Sequence, residues 1–462
     1  MRERRDGDGG SEGPDVRGCG VGSVSGPRVD SARSSVHGDV AEGSARSILR
    51  SRGAWVLGGR SPIDPGLRVA LVYEYFSLEG SHDRLSVLLT RSLVKLGVDV
   101  HVYCNPDTRT VDVPGATFHD VPAVLPYADG RLSQPLHILY FGARATRALR
   151  RDRARYDLVH VSGCSAWEHD VVTVHSVTKA EQRRWPERGG RTYKAARTRA
   201  FLAPLLRPSV GFLLWIQRRQ LRTRSYARLI VPTIEVRRDL GVLYGVAPER
   251  IEVIPYPITV QPSAREGRPE ELRSSLGLPA GCPVILFMGH EFERKGLLEA
   301  VEALPGLEPE AHLVVVGGGD RTPFAATAER IDVAHRVHFV GATMAPERFL
   351  GAADVLLHPS REDVWGMAVL EAMAFGLPVV TSAVTGAAEE VRFAGAGVVV
   401  KDASPAHLRH ALSELLGDPE RRRKMGERGR AASVRFRPEA IAERTLEVYR
   451  MAMRDRAGRD RR

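Results

Sequence analysis

The sequence predicts an α/β protein made of two doubly wound parallel-sheet domains, and three observations carry that prediction. Its 462 residues exceed one ordinary hydrophobic core, and a 43% hydrophobic content can supply two. Two separate series of short valine- and leucine-rich runs alternate with helix-spaced segments, one starting at Leu67 and the other at Pro283. Between them, after Gln261, runs the polar stretch PSAREGRPEELRSSLGLP, which reads as a linker and a short helix and puts the domain boundary near residue 260.

Taken in order, residues 1–66 are rich in Gly, Ser, Arg and Asp and are expected to form a disordered tail. Order begins at Leu67. LRVALVYEYF reads as a buried strand, RLSVLLTRSLVK has helical spacing that stops at Gly97, and VDVHVYC reads as the next strand, a β-α-β opening with a glycine-containing loop. YDLVHVSG and HDVVTVHSV are two more strands, the second with Asp170 at its start and His175 at its carboxyl end. The stretch from Arg197 to Arg228 joins an apolar core to flanking arginines. It fits either an anionic membrane surface or ordinary packed helices interrupted at Pro204, Pro208 and Gly211. The second series runs PVILFMG, KGLLEAVEAL, AHLVVVGGG, RVHFVG, DVLLHPS, PVVTS and GVVV, and helices from about 405 to 455 close the chain. The expected domains are therefore 67–260 and 261–440, with a final helix and basic tail over 441–462.

The formal charge of +11 and pI near 9.8 come mostly from arginine and favour anionic partners such as sugar nucleotides, phospholipid headgroups or nucleic acid. Cys19, Cys104, Cys164 and Cys282 are scattered without metal-ligand spacing, so reduced thiols and a cytoplasmic address are expected. No stretch approaches the ~18 uninterrupted apolar residues of a spanning helix, and no signal peptide is expected.

The most informative segment is DVLLHPSREDVWGMAVLEAMAFGLPVVTS, residues 354–382. Val355, Leu356 and Leu357 suit a strand buried on both faces, and Pro359–Ser360 ends it. Met367, Leu370 and Ala374, with Val369 and Met373, repeat at helical intervals, Gly376 supplies the stop and Pro378 lies just beyond. A right-handed crossover then sets the loop Arg361–Trp365 at the carboxyl edge of the sheet, where ligands bind. The amides of Gly366, Met367 and Ala368 would be unpaired first-turn donors in the positive field of the helix, a natural phosphate site. Asp363 and Glu371 bracket this opening at a spacing that suits sugar hydroxyls better than a metal, and Ser360 stands beside them. A second basic site is written in GHEFERKG, where Gly289 ends a strand and His290, Arg294 and Lys295 precede a helix.

DVWGMAVLEAMAFGLPVV resembles the donor-binding signature of retaining glycosyltransferases of GT-B type, family 4, with Asp363 and Glu371 in a D-x7-E spacing where the family usually has two glutamates. GHEFERKG is similar to the family's G-R-x4-K element that grips a diphosphate; Lys295 is in place, His290 stands at the arginine position and Arg294 sits beside the lysine. That substitution also resembles lipopolysaccharide core glucosyltransferases. The likeness spans about residues 67–455, and it implies two Rossmann-like domains facing a cleft with the last helix crossing back to the first domain.

It further implies retaining transfer of a hexose-like unit from a nucleoside diphosphate sugar to a glycan, lipid-linked or small-molecule acceptor in cell-envelope glycan synthesis. Asp363, Lys295 and His175 would be catalytic. Glu371, Arg294, Gly289, His290, Ser360 and residues 366–369 would bind the donor, and Gly80 and Arg84 would lie in a loop facing donor and acceptor. No metal or cofactor is expected, and the arginine-flanked stretch from Arg197 to Arg228 leaves peripheral contact with the inner face of the membrane open beside ordinary helix packing. Two other readings stand beside this one: an epimerase or phosphorylase of the same architecture, and a non-catalytic arginine-rich module binding membrane or nucleic acid.

Overall fold

The computed structural model describes residues 66–78, 83–123, 133–180, 208–222, 226–258, 269–307, 309–343 and 345–460. The expectation of a disordered tail over 1–66 lies outside the described residues except at Gly66, as do Gly80 and most of the stretch 181–207.

Among the described residues thirteen strands, all parallel within their sheets, build two sheets. The first holds β1 (Arg68–Tyr73), β2 (Asp99–Cys104), β3 (Ala116–Asp120), β4 (Leu158–Ser162), β5 (Val171–Thr173), β6 (Arg228–Val231) and β7 (Ile251–Val253), in the order β3-β2-β1-β4-β5-β6-β7. The second holds β8 (Val284–Met288), β9 (His312–Val316), β10 (Val337–Gly341), β11 (Val355–His358), β12 (Val379–Ser382) and β13 (Gly397–Val400), in the order β10-β9-β8-β11-β12-β13. Each sheet reverses its strand order next to its first strand. That reversal is the topological switch point at which doubly wound sheets open a crevice beyond their carboxyl edge.

Burial on both faces explains the continuous apolar runs. Val69, Leu71 and Tyr73 of β1 enter one core cluster while Ala70 and Val72 enter another. In β8, Val284, Leu286 and Met288 pack on one face and Ile285 and Phe287 on the other, the strict period of two that a strand imposes. β3 and β7 were not predicted. β3 is an edge strand of sequence ATFHD with no fully buried residue, and β7 has only three residues, so neither carries the apolar run by which a parallel strand is read.

The closing helical region is three helices, Pro405–Leu416, Pro419–Ser433 and Pro438–Asp460, each opened by a proline, where its missing amide costs nothing. The last one packs on the helix Asp83–Lys95 and sends Ile441, Leu446 and Tyr449 into the core of the first sheet. Within Arg197–Arg228, residues Pro208–Arg222 form one helix. No helix among the described residues is long and apolar enough to cross a membrane.

Candidate functional site

The carboxyl ends of β8 and β11 lie side by side, because these strands pair directly at Val355–Ile285 and Leu356–Leu286. Their following loops are thereby brought together. Gly296 starts the helix Leu297–Glu302 with φ +79, and a Cβ there would sit 2.2 Å from the Pro359 carbonyl oxygen, so only glycine lets the two loops approach this closely. Ser360 is fully buried; its hydroxyl donates to the carbonyls of Glu362 (2.9 Å) and Arg294 (3.3 Å) and ties the loops together.

Lys295 lays its aliphatic stem over Gly289, where a Cβ would meet its Cγ at 3.3 Å, and donates its ammonium to Asp363 Oδ2. The same oxygen accepts from His358 Nε2 at 2.8 Å, while Oδ1 accepts from the amides of Gly366 (3.1 Å) and Trp365 (3.4 Å). Burial by itself would raise the Asp363 carboxyl, but Lys295 and the His358 N–H hold it far below the usual carboxylate range. Burial lowers His358, so it stands neutral with its proton on Nε2; its Nδ1 is buried with no hydrogen-bond partner among the described residues. The cluster is thus one cation and one anion held by a neutral imidazole.

Two expectations change at this point. The Gly366 amide is not an unpaired donor, because Asp363 takes it. The positive pole that remains is that of Met367 and Ala368, first-turn amides of a nine-residue helix with no residue four back inside it to accept from them. Gly366 itself is required by its φ of +84 and by the Thr385 methyl, which an added Cβ would approach to 2.6 Å. Arg294 is committed as well: its guanidinium donates to the Glu362 carbonyl at 2.7 Å and pairs with Glu291. It holds the acidic loop in place beside Lys295.

Of the remaining predicted residues, His290 accepts the Gly318 amide on Nδ1 at 3.1 Å, so its ring carries its proton on Nε2 and supplies no cation in that state. Glu371 is buried on the helix Met367–Phe375, and Val369 is wholly inside the core. Arg84 donates to the Leu78 carbonyl at 3.1 Å, beside the loop whose middle lies outside the described residues. His175 belongs to the edge of the first sheet. It bridges Ser162 Oγ and Tyr256 OH, each at 2.7 Å, and Tyr256 packs edge-on against Trp365, centroids 6.1 Å apart. A path of contacts therefore joins the first sheet to the acidic loop.

Sequence reasoning missed His358, which directly precedes Pro359 at the end of β11, and the pair of Arg361 with Glu299 at 2.8 Å. A histidine at the carboxyl end of a buried strand, five residues before the acid, was the available signal. Among the described residues no group of three His, Cys, Asp or Glu is placed to hold a metal ion.

Comparison with known proteins shows the family and the fold. Residues 84–261 match the family described as Glycosyltransferase Family 4, and residues 269–432 match Glycosyl transferases group 1. A D-inositol 3-phosphate glycosyltransferase of Xylanimonas cellulosilytica is 32% identical over 400 residues, 80% of this chain and 91% of that protein. The chain belongs to the group 1 glycosyltransferases. The lipopolysaccharide glucosyltransferase WaaG of Escherichia coli is 33% identical to this glycosyltransferase over 198 residues, 41% of this chain and 53% of that protein.

Among solved structures, a sucrose-phosphate synthase of Thermosynechococcus elongatus superposes with a TM-score of 0.66 at 21% identity, covering 83% of this chain and 98% of that one. HepE of Anabaena, solved with UDP and glucose, superposes with a TM-score of 0.60 at 17% identity over 82% of this chain and 98% of that one. Both likenesses are of fold. The glycosyltransferase thus has the GT-B architecture of two Rossmann-like sheets.

Proposed function

We propose that this glycosyltransferase moves a hexose-like unit from a nucleoside diphosphate sugar to a glycan, lipid-linked or small-molecule acceptor, with retention of configuration and without a divalent cation. The observation that carries the reading is the meeting of two loops at the carboxyl edge of the second sheet, where Lys295 pairs with Asp363 and the other oxygen of Asp363 accepts the Gly366 amide at the start of the helix that carries the Met367 and Ala368 amides. Breaking the bond from the anomeric carbon to phosphate leaves negative charge on the departing diphosphate, and preorganised donors of this kind stabilise it where it develops. Asp363 sets the position of Lys295, since its own oxygens already accept from four protein groups. Glu371, one turn into the helix, accepts from ribose hydroxyls. His175 and Arg84 face the transferred sugar and the acceptor from the first sheet.

The test is a donor panel. Purified protein is incubated with uridine, guanosine and adenosine diphosphate sugars while nucleotide binding is followed by calorimetry. Binding of one nucleotide class, weakened at least about tenfold in Glu371→Ala, is the expected outcome, a loss of the size of one charged hydrogen bond. Absence of binding and transfer across all three classes would sink the proposal.

The proposed place of action is the cytoplasmic face of a membrane. Leu136, Tyr140 and Trp215 are exposed on two helices that pack together, with Arg144 over the Tyr140 ring and Arg219 over the Trp215 ring. Apolar and cationic groups on one surface suit an anionic lipid interface. Flotation with anionic but not neutral vesicles would bear this out, and equal recovery with both would refute it.

A further inference from the structure

A second concavity of about 370 Å³ lies at the carboxyl edge of the first sheet, within the range of roughly 300–1,000 Å³ of small-molecule sites. Its polar wall is made by Glu74, Asp83, Ser162, His175 and Tyr256, and among the described residues no lysine or arginine lines it. Glu74 Oε1 lies 3.0 Å from His137 Nε2, and its side chain is 13% exposed. His175 stands between the Ser162 and Tyr256 hydroxyls, forming a chain of groups that can each donate or accept. Tyr73, also on the wall, has a buried hydroxyl with no partner among the described residues. His160 supplies no charge: both ring nitrogens are taken, by Tyr449 and Thr173, and burial pushes it down to about 3.

We infer that this cavity seats the acceptor and that the part seated there is an uncharged polyhydroxyl group, a sugar or cyclitol without phosphate. The inference rests on the transferase reading above. Hydroxyls can satisfy a wall that offers two carboxyl groups and a Ser-His-Tyr chain, because each hydroxyl donates as well as accepts. A phosphate accepts only, and here it would face the Asp83 carboxylate and, above about pH 7, that of Glu74, with no lysine or arginine among the described lining residues to offset them. Like-charge juxtaposition of this kind is how binding sites reject wrong ligands. The names of several relatives specify inositol 3-phosphate, so an acceptor without phosphate would set this chain apart from them.

The experiment uses matched ligand pairs on the full-length protein: glucose with glucose 6-phosphate, and myo-inositol with inositol 1-phosphate, their binding compared by saturation-transfer NMR. At least one uncharged member should bind at least about tenfold more tightly than its phosphorylated partner, equivalent to about 1.4 kcal/mol. At pH 8, where Glu74 is ionised, Glu74→Gln should narrow that ratio, and Asp83→Asn, a half-buried position in the first turn of its helix, should narrow it in a variant whose folding is less at risk. Tighter or equal binding of the phosphorylated members, no binding of either uncharged one, or a ratio unmoved in both variants overturns the inference. Nucleotide binding on the same samples reports on Lys295 and Glu371 alone, so failure of the donor site and failure of the cavity are told apart.

Discussion

Asp363 is one methylene shorter than the glutamate usual at its position, and its surroundings show what the shorter arm does. It reaches Lys295, His358 and two amides at once, all inside the protein. The two charged side chains are 14% and 11% exposed, so removing one partner strands the other in a poorly solvated place. Lys295→Ala should therefore destabilise the fold by about 3–5 kcal/mol and cut nucleotide affinity as well. Urea unfolding checks the first effect and calorimetry the second; wild-type stability in the variant would mean that water replaces the ammonium.

Glu74 gives a pH-dependent prediction. Burial, helped by the Asp83 carboxylate, raises its carboxyl to about 7 from an ordinary 4.5. The folded state therefore holds a proton that the unfolded state releases between those values. The associated stability is fully present below pH 4.5 and is lost as pH rises through about 7. At full ionisation the loss is roughly 3 kcal/mol at 1.36 kcal/mol per unit. Glu74→Gln should raise the melting temperature at pH 8 and leave it nearly unchanged at pH 4; an equal gain at both values would refute the titration.

At the scale of the element, the helix Met367–Phe375 is framed by two left-handed glycines, Gly366 and Gly376. Gly376 was legible as a helix stop, because a glycine followed by proline after helix-spaced apolar residues has one common meaning. Gly366 was legible as a glycine but not for its reason, since Thr385 approaches it from nineteen residues further along the chain, after another strand. Gly366→Ala should cost about 1–2 kcal/mol for the left-handed backbone, plus the collision with Thr385, and it should move the first-turn amides off the ligand. Thr385→Ser removes the colliding methyl, so the double variant should recover the steric part only. A double-mutant cycle in stability measures this, and additivity of the two changes would remove Thr385 from the account.

For the whole molecule, the last helix decides whether the chain is one unit. It follows the second sheet in sequence yet buries Ile441, Leu446, Tyr449 and Ala452 in the first sheet's core. Tyr449 OH meets His160 Nδ1 at 2.7 Å, and Arg228 of β6 pairs with Asp455 at 2.7 Å. Tyr449→Phe keeps the packing and leaves the buried imidazole short of one partner, so a loss of about 1–3 kcal/mol is expected. Tyr449→Ala should lose about 3–5 kcal/mol, as core aromatics do. Near-neutral behaviour of Tyr449→Ala in urea unfolding would show that this helix docks loosely.

The sequence by itself determined the fold class, most strands of both sheets and the ligand edge of the second. Parallel strands buried on both faces need continuous apolar runs, and such runs are visible residue by residue. It also put Lys295 and Asp363 at one sheet edge, because each follows the end of a buried strand by five to seven positions. The tertiary structure alone decided what these groups do to one another. Asp363 spends its oxygens on Lys295, His358 and the helix start, and Arg294 is spent on the loop. Only it gathered Glu74, Asp83, His175 and Tyr256 around one cavity. Those residues come from distant parts of the chain, and charge complementarity at a site is a property of neighbours in space, which no local pattern encodes.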